Sequence, residues 1–137
     1  MRSLTALFLL LCAACTSHDP PKAAQPKPGP CESGDVTLTA RRGERPPPLC
    51  LTVGAVLRVV AEPSSRQPWS PLTSTDEQVL SCVSRPGSEG TITATCTARR
   101  PGRATVATVT APFPGDPRGP AQFRWTRQIE VVAHGRA

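Results

Sequence analysis

The clearest pattern in the chain is the segment TITATCTA at 91–98, where Ile92, Ala94, Cys96 and Ala98 alternate with four threonines. A two-residue period of this kind puts apolar side chains on one face of an extended strand and polar ones on the other. The period recurs along the chain. VTLTA at 36–40 aligns Val36, Leu38 and Ala40, and LCLTV and AVLRVVA flank Gly54, the latter aligning Leu57, Val59 and Ala61. A short piece around Trp69 follows the turn EPSSRQP, and QVLSCV at 78–83 leads through SRPGSEG into the 91–98 segment. After the turn RPGR comes ATVATVTA, then the long loop PFPGDPRGPAQ, then FRWTRQIEVV, in which Phe123, Trp125, Ile129 and Val131 share a face. Arg127 interrupts that face, which predicts a bulge or a sheet edge.

About seven short strands separated by turns predict an all-β fold, an immunoglobulin-like antiparallel β-sandwich, with a small barrel as the alternative. Composition agrees: 17 Pro, 10 Gly and no Tyr occur in 137 residues, so long helices are disfavoured and only one domain fits. With two Trp and three Phe the core is small, and such domains usually carry covalent staples.

The stretch LFLLLCAACTSHDPP, from residue 7, raises a separate question. Cys12 and Cys15 form a C-x-x-C spacing, but their surroundings are those of an export signal: a positive Arg2, an apolar run over 4–11, and small Ala13 and Ala14. That run is too short for a bilayer, which needs about 20 residues. The segment resembles the lipobox of bacterial lipoproteins, in which the chain is cut before a cysteine that receives acyl chains. The resemblance places that cysteine at Cys15, with Cys12 where the family has Leu; an ordinary secretory signal is the alternative. It implies a signal peptide over 1–14, a lipid anchor to the membrane and an extracytoplasmic location. Residues 15–30, with Pro at 20, 21, 26, 28 and 30, read as an extended tether, since Pro removes backbone donors and fixes φ. His18 in this stretch reads as a spacer residue. The folded domain is expected over 31–133, with a frayed tail at 134–137.

Four cysteines remain, Cys31, Cys50, Cys82 and Cys96, an even number in an exported domain, which points to two disulfides. Cys82 and Cys96 lie symmetrically about the PGSEG turn, favouring 82–96 with 31–50; a 50–96 bridge is the rival. The spacing does not suit zinc. Catalysis is not expected. The only histidines, His18 and His134, fall outside the strand-forming region, and Asp76-Glu77 read as turn residues. No cofactor is expected. The formal charge of +6 comes mostly from Arg, and Arg41-Arg42 and Arg99-Arg100 precede turns, where charge is solvated. Nucleic acid is disfavoured as a partner, since no aromatic platform accompanies the charge. An anionic envelope polymer or an envelope protein fits better, with the domain monomeric.

From Val53 to Val132 the chain resembles the chagasin-like inhibitors of papain-type cysteine proteases. TVGAVLRVVAEPSSRQPW looks like that family's Gly-bearing strand and Pro-containing first loop ending in Trp, with Pro63, Ser64, Ser65 and Trp69 matching in type. RRPGRATVATVTAPFPG looks like its turn, penultimate strand and third loop, with Pro112-Phe113 in place of a Pro-aromatic pair. The resemblance implies that three loops at one end of the sandwich wedge into a protease cleft. The departures fall in those loops. Glu62 replaces the Asn of the first loop and Arg66 stands near its Gly, only Gly87 and Gly90 serve the second, and Ala111 replaces an Arg. The main expectation is therefore a membrane-anchored, non-catalytic binding or scaffolding domain of the cell envelope, with cysteine protease inhibition as the alternative.

Overall fold

The computed structural model describes residues 30–134; Cys15, the signal and most of the tether lie outside the described residues. Among the described residues, eight strands form two sheets. β1 (Asp35–Ala40), β3 (Val56–Ala61), β6 (Ile92–Ala98) and β5 (Leu80–Pro86) make one, in the order β1-β3-β6-β5. β2 (Leu49–Thr52), β8 (Arg124–Val132), β7 (Gly102–Val109) and β4 (Thr73–Ser74) make the other, in the order β2-β8-β7-β4. The all-β sandwich is as expected from the sequence.

Alternation decides what lies between the sheets. Along β6, Ile92, Ala94, Cys96 and Ala98 are buried and the threonines between them exposed. Leu57 and Val59 of β3, Leu80 of β5, Val106 of β7 and Trp125, Ile129 and Val131 of β8 complete the core, each at most 2% exposed. The strand pairings are mixed. β3–β6, β5–β6, β7–β8 and β4–β7 are antiparallel, whereas β1 pairs with β3 and β2 with β8 in parallel. A local pattern of apolar residues carries no strand direction, so these two parallel edges were not legible in it. The segment around Trp69 is a single bridge to Thr110 rather than a strand.

Both disulfides form in the favoured pairing, Cys31–Cys50 and Cys82–Cys96. Cys82 and Cys96 face each other directly in the β5–β6 register, and the rival 50–96 bridge is excluded. Phe123 departs from its expected place. It precedes β8 and is 40% exposed rather than in the core. Around Arg127 the β7–β8 register runs unbroken, so there is no bulge there. There is an edge instead: β2 pairs only with Ile129–Val132, and Arg127 sits just beyond its end.

Candidate functional site

Strand directions bring four connections to one end of the sandwich. β3 ends there at Ala61, β5 turns into β6 there, β7 ends there at Val109 and β8 begins there at Arg124. The loops that follow β3, β5 and β7 are thus neighbours, and the β1–β2 connection joins them because Ala40 pairs with Ala61.

The loop after β3 is central. Its Ser64 N–H donates to the Glu89 carbonyl at 2.8 Å and its Trp69 N–H to the Gly90 carbonyl at 3.0 Å, which fastens it to the β5–β6 loop. On the other side Ala111 N–H donates to the Pro68 carbonyl at 2.9 Å, and Gln67 Nε2 donates to the Ala111 carbonyl at 3.3 Å. The loop also closes on itself: Trp69 Nε1 donates to the Glu62 carbonyl at 2.8 Å and Ser64 Oγ to the Gln67 carbonyl at 2.6 Å. Ser64, Gln67 and Trp69 are buried, while Pro63, Ser65, Arg66 and Pro68 are exposed. Buried polar groups that are all paired make a rigid frame, since opening it would leave them unsatisfied.

The β5–β6 loop is a single 3₁₀ turn at Ser88–Gly90 with Gly87 ahead of it. Glu89 and Gly90 both have positive φ, 56° and 70°. A methyl group on Gly90 would run into the Ser64 carbonyl, so glycine is required by conformation and by the close approach of the two loops. In the β7–β8 loop, Pro112 is half-buried and Phe113 is 56% exposed, and two successive turns follow, Asp116 N–H to the Phe113 carbonyl and Gly119 N–H to the Asp116 carbonyl, each at 2.9 Å.

Of the residues singled out in the sequence, then, Pro63, Ser65, Arg66, Gly87 and Phe113 lie exposed on one end, with Gly90 and Pro112 half-buried among them. Ser64 and Trp69 support that surface from inside. Arg42, which the sequence leaves as a solvated charge, has a defined partner. Its Nε lies 2.9 Å from Glu62 Oε1, its N–H donates to the same oxygen at 2.8 Å, and its Nη2 donates to the Pro63 carbonyl at 3.3 Å. The Arg42 backbone N–H, with the guanidinium reinforcing it, holds the Glu62 carboxyl below the usual carboxylate range. The guanidinium also lies 5.9 Å from the centre of the Phe123 ring. Gln67, Glu89 and the Arg42–Glu62 pair were missed because each is defined by a partner distant in sequence; Gln67 has no local signal at all. Asp76 keeps the turn role expected of it, its Oδ1 accepting from the Gln78 and Val79 N–H groups.

No protein-family model and no curated protein sequence matches this chain. Among solved structures, the cysteine protease inhibitor EhICP2 from Entamoeba histolytica superposes with a TM-score of 0.52 at 10% identity, covering 72% of this chain and 97% of that one. The solution structure of amebosin gives 0.47 at 16% identity, covering 74% and 100% of the two chains. PbICP-C, solved in complex with falcipain-2, gives 0.42 at 13% identity, covering 77% and 95%. The first likeness shows the fold. It tells against the scaffolding role expected from the sequence, since the solved domain that shares the fold over 97% of its own length is a cysteine protease inhibitor.

Proposed function

We propose that this chain is a chagasin-like inhibitor of papain-type cysteine proteases, acting through the three fastened loops, and that Cys15 carries a lipid anchor holding it on the extracytoplasmic face of a membrane. One observation carries the inhibitor reading: the loops after β3, β5 and β7 are hydrogen-bonded into one unit, with the exposed Ser65-Arg66 backbone in the middle. A protease cleft is long and narrow, and a three-part wedge fills it without presenting a bond for cleavage. Ser65-Arg66 takes the position against the catalytic thiol, Gly87–Gly90 one wall, and Pro112-Phe113 the other. Because the frame is already ordered, binding costs little loop entropy. Phe113 supplies the apolar anchor, an exposed aromatic of the kind that dominates interface energetics.

The anchor rests on the sequence of residues 1–15 and on the physics of acyl chains. Each buried CH₂ contributes about 0.8 kcal/mol, so several chains hold where one is marginal. Titrating papain with the full chain in mild detergent tests the inhibitor reading. Reversible, active-site-competitive inhibition is expected, and an unchanged rate at micromolar inhibitor overturns it. Intact-mass analysis of the membrane fraction tests the anchor: the expected species begins at an acylated Cys15.

A further inference from the structure

The β8 strand is paired from Arg124 to Val131 on one side and only from Ile129 to Val132 on the other. Thr110 N–H donates to the Phe123 carbonyl at 2.9 Å, which sets the alternation: the backbone groups of residues 123, 125, 127, 129 and 131 point to β7. Those of the intervening residues point the other way. At 130 and 132 they meet β2, as the Val53 N–H to Val132 carbonyl bond at 2.9 Å shows. At Arg124 and Thr126 they meet no strand among the described residues, and at Gln128 only the carbonyl does, set against the first residue of β2 by the Leu49–Ile129 register. These three residues line a groove of about 520 Å³ whose other wall is Glu44, Arg45, Pro46 and Pro48 from the β1–β2 connection. The chain cannot fill the gap from that wall, since Pro46 to Pro48 have no N–H to give.

The groove is also charged. Arg45 and Arg124 stand on its two walls against the single carboxylate of Glu44. Arg127, between Thr126 and Gln128 on the strand, is half-buried, and its Nε has no hydrogen-bond partner. Two copies pairing through this edge would bring arginine against arginine, so the charges oppose self-association and admit an acidic strand.

We propose that the open half of β8 is a second binding site, which takes an extended acidic peptide segment of a protein partner as an added strand continuing the line of β2. Its backbone pairs with Arg124, Thr126 and the Gln128 N–H, and its carboxylates lie against Arg45 and Arg124. The site is on the flank of the sandwich and does not depend on the inhibitor reading; papain inhibition and peptide binding can fail separately.

The test uses the full chain, isotopically labelled, and a capped heptapeptide of alternating Glu and Val. On titration, the amides of Arg124, Thr126 and Gln128 should shift and gain hydrogen-exchange protection, with binding that weakens as salt is raised. The counterpart with Lys for Glu should bind at least tenfold more weakly, and the double variant R45E/R124E should reverse that preference. Thr126→Pro removes an N–H that β7 does not use, and should abolish binding. If that variant fails to fold, an alternately N-methylated Glu-Val peptide asks the same question of the unmodified protein and should lose at least tenfold in affinity. Equal binding of the Lys peptide, shifts confined to other parts of the domain, or protection of the three amides through dimerisation without peptide would each overturn the proposal.

Discussion

The indole nitrogen of Trp69 donates to the carbonyl oxygen of Glu62 at 2.8 Å, closing the neck of the loop whose tip is Ser65-Arg66. Trp69 is 5% exposed, so this is packing and hydrogen bonding together. Trp69→Phe keeps most of the packing and leaves the Glu62 carbonyl without its partner. A loss of about 1–3 kcal/mol in urea unfolding is expected, with weaker papain inhibition because the tip is no longer fixed. Unchanged stability would mean that the neck is not held by this bond.

Gly90 fails as alanine for two reasons, its φ of 70° and the Ser64 carbonyl lying where a side chain would start. Gly90→Ala should cost at least about 2 kcal/mol and separate the central loop from its neighbour, raising the inhibition constant. Denaturant titration and papain inhibition on the same preparation read both effects.

Phe113 offers the opposite contrast, since at 56% exposed it supports little of the fold. Phe113→Ala should leave stability within about 0.5 kcal/mol while weakening inhibition roughly tenfold, near 1.4 kcal/mol. Equal inhibition by the two proteins would remove the third loop from the contact.

Arg66 stands at the exposed tip without a positive φ, so nothing in the backbone demands its replacement or forbids glycine. Arg66→Gly should tighten papain inhibition by removing bulk and charge where backbone must approach the thiol. Weaker inhibition would show instead that the guanidinium itself binds.

The Arg42–Glu62 pair gives the loop end a pH dependence. The Glu62 carboxyl is held below its ordinary value by the Arg42 N–H and guanidinium. Its contribution to stability is therefore complete above the unfolded-state pKa and is lost as pH falls through the lower folded-state value. Wild type should melt above Glu62→Gln at neutral pH, and the gap should close in acid. A gap independent of pH would assign the effect to geometry rather than charge.

How legible the molecule is in its sequence varies with the range of the interaction. The 91–98 strand, the turn around 84–90 and the 82–96 bridge follow from a few consecutive residues, and each is found in place. Phe123 was misassigned because a two-residue period continues on paper past the point where β8 begins at Arg124. Arg127 was noticed as a break, but a break has no sign of its own; only the early end of β2 makes it an edge.

By itself the sequence determined the local chemistry: which residues alternate, which glycines and prolines turn the chain, and which cysteines remain to be paired. Those choices depend on neighbours a few positions away, where sterics and side-chain period act directly. Only the tertiary structure decided that the first and second strands join their sheets in parallel, that three loops are hydrogen-bonded at one end, and that Arg42 reaches Glu62 across 20 positions. Such contacts depend on strand direction and sheet order, and an apolar period reads the same whichever way its strand runs.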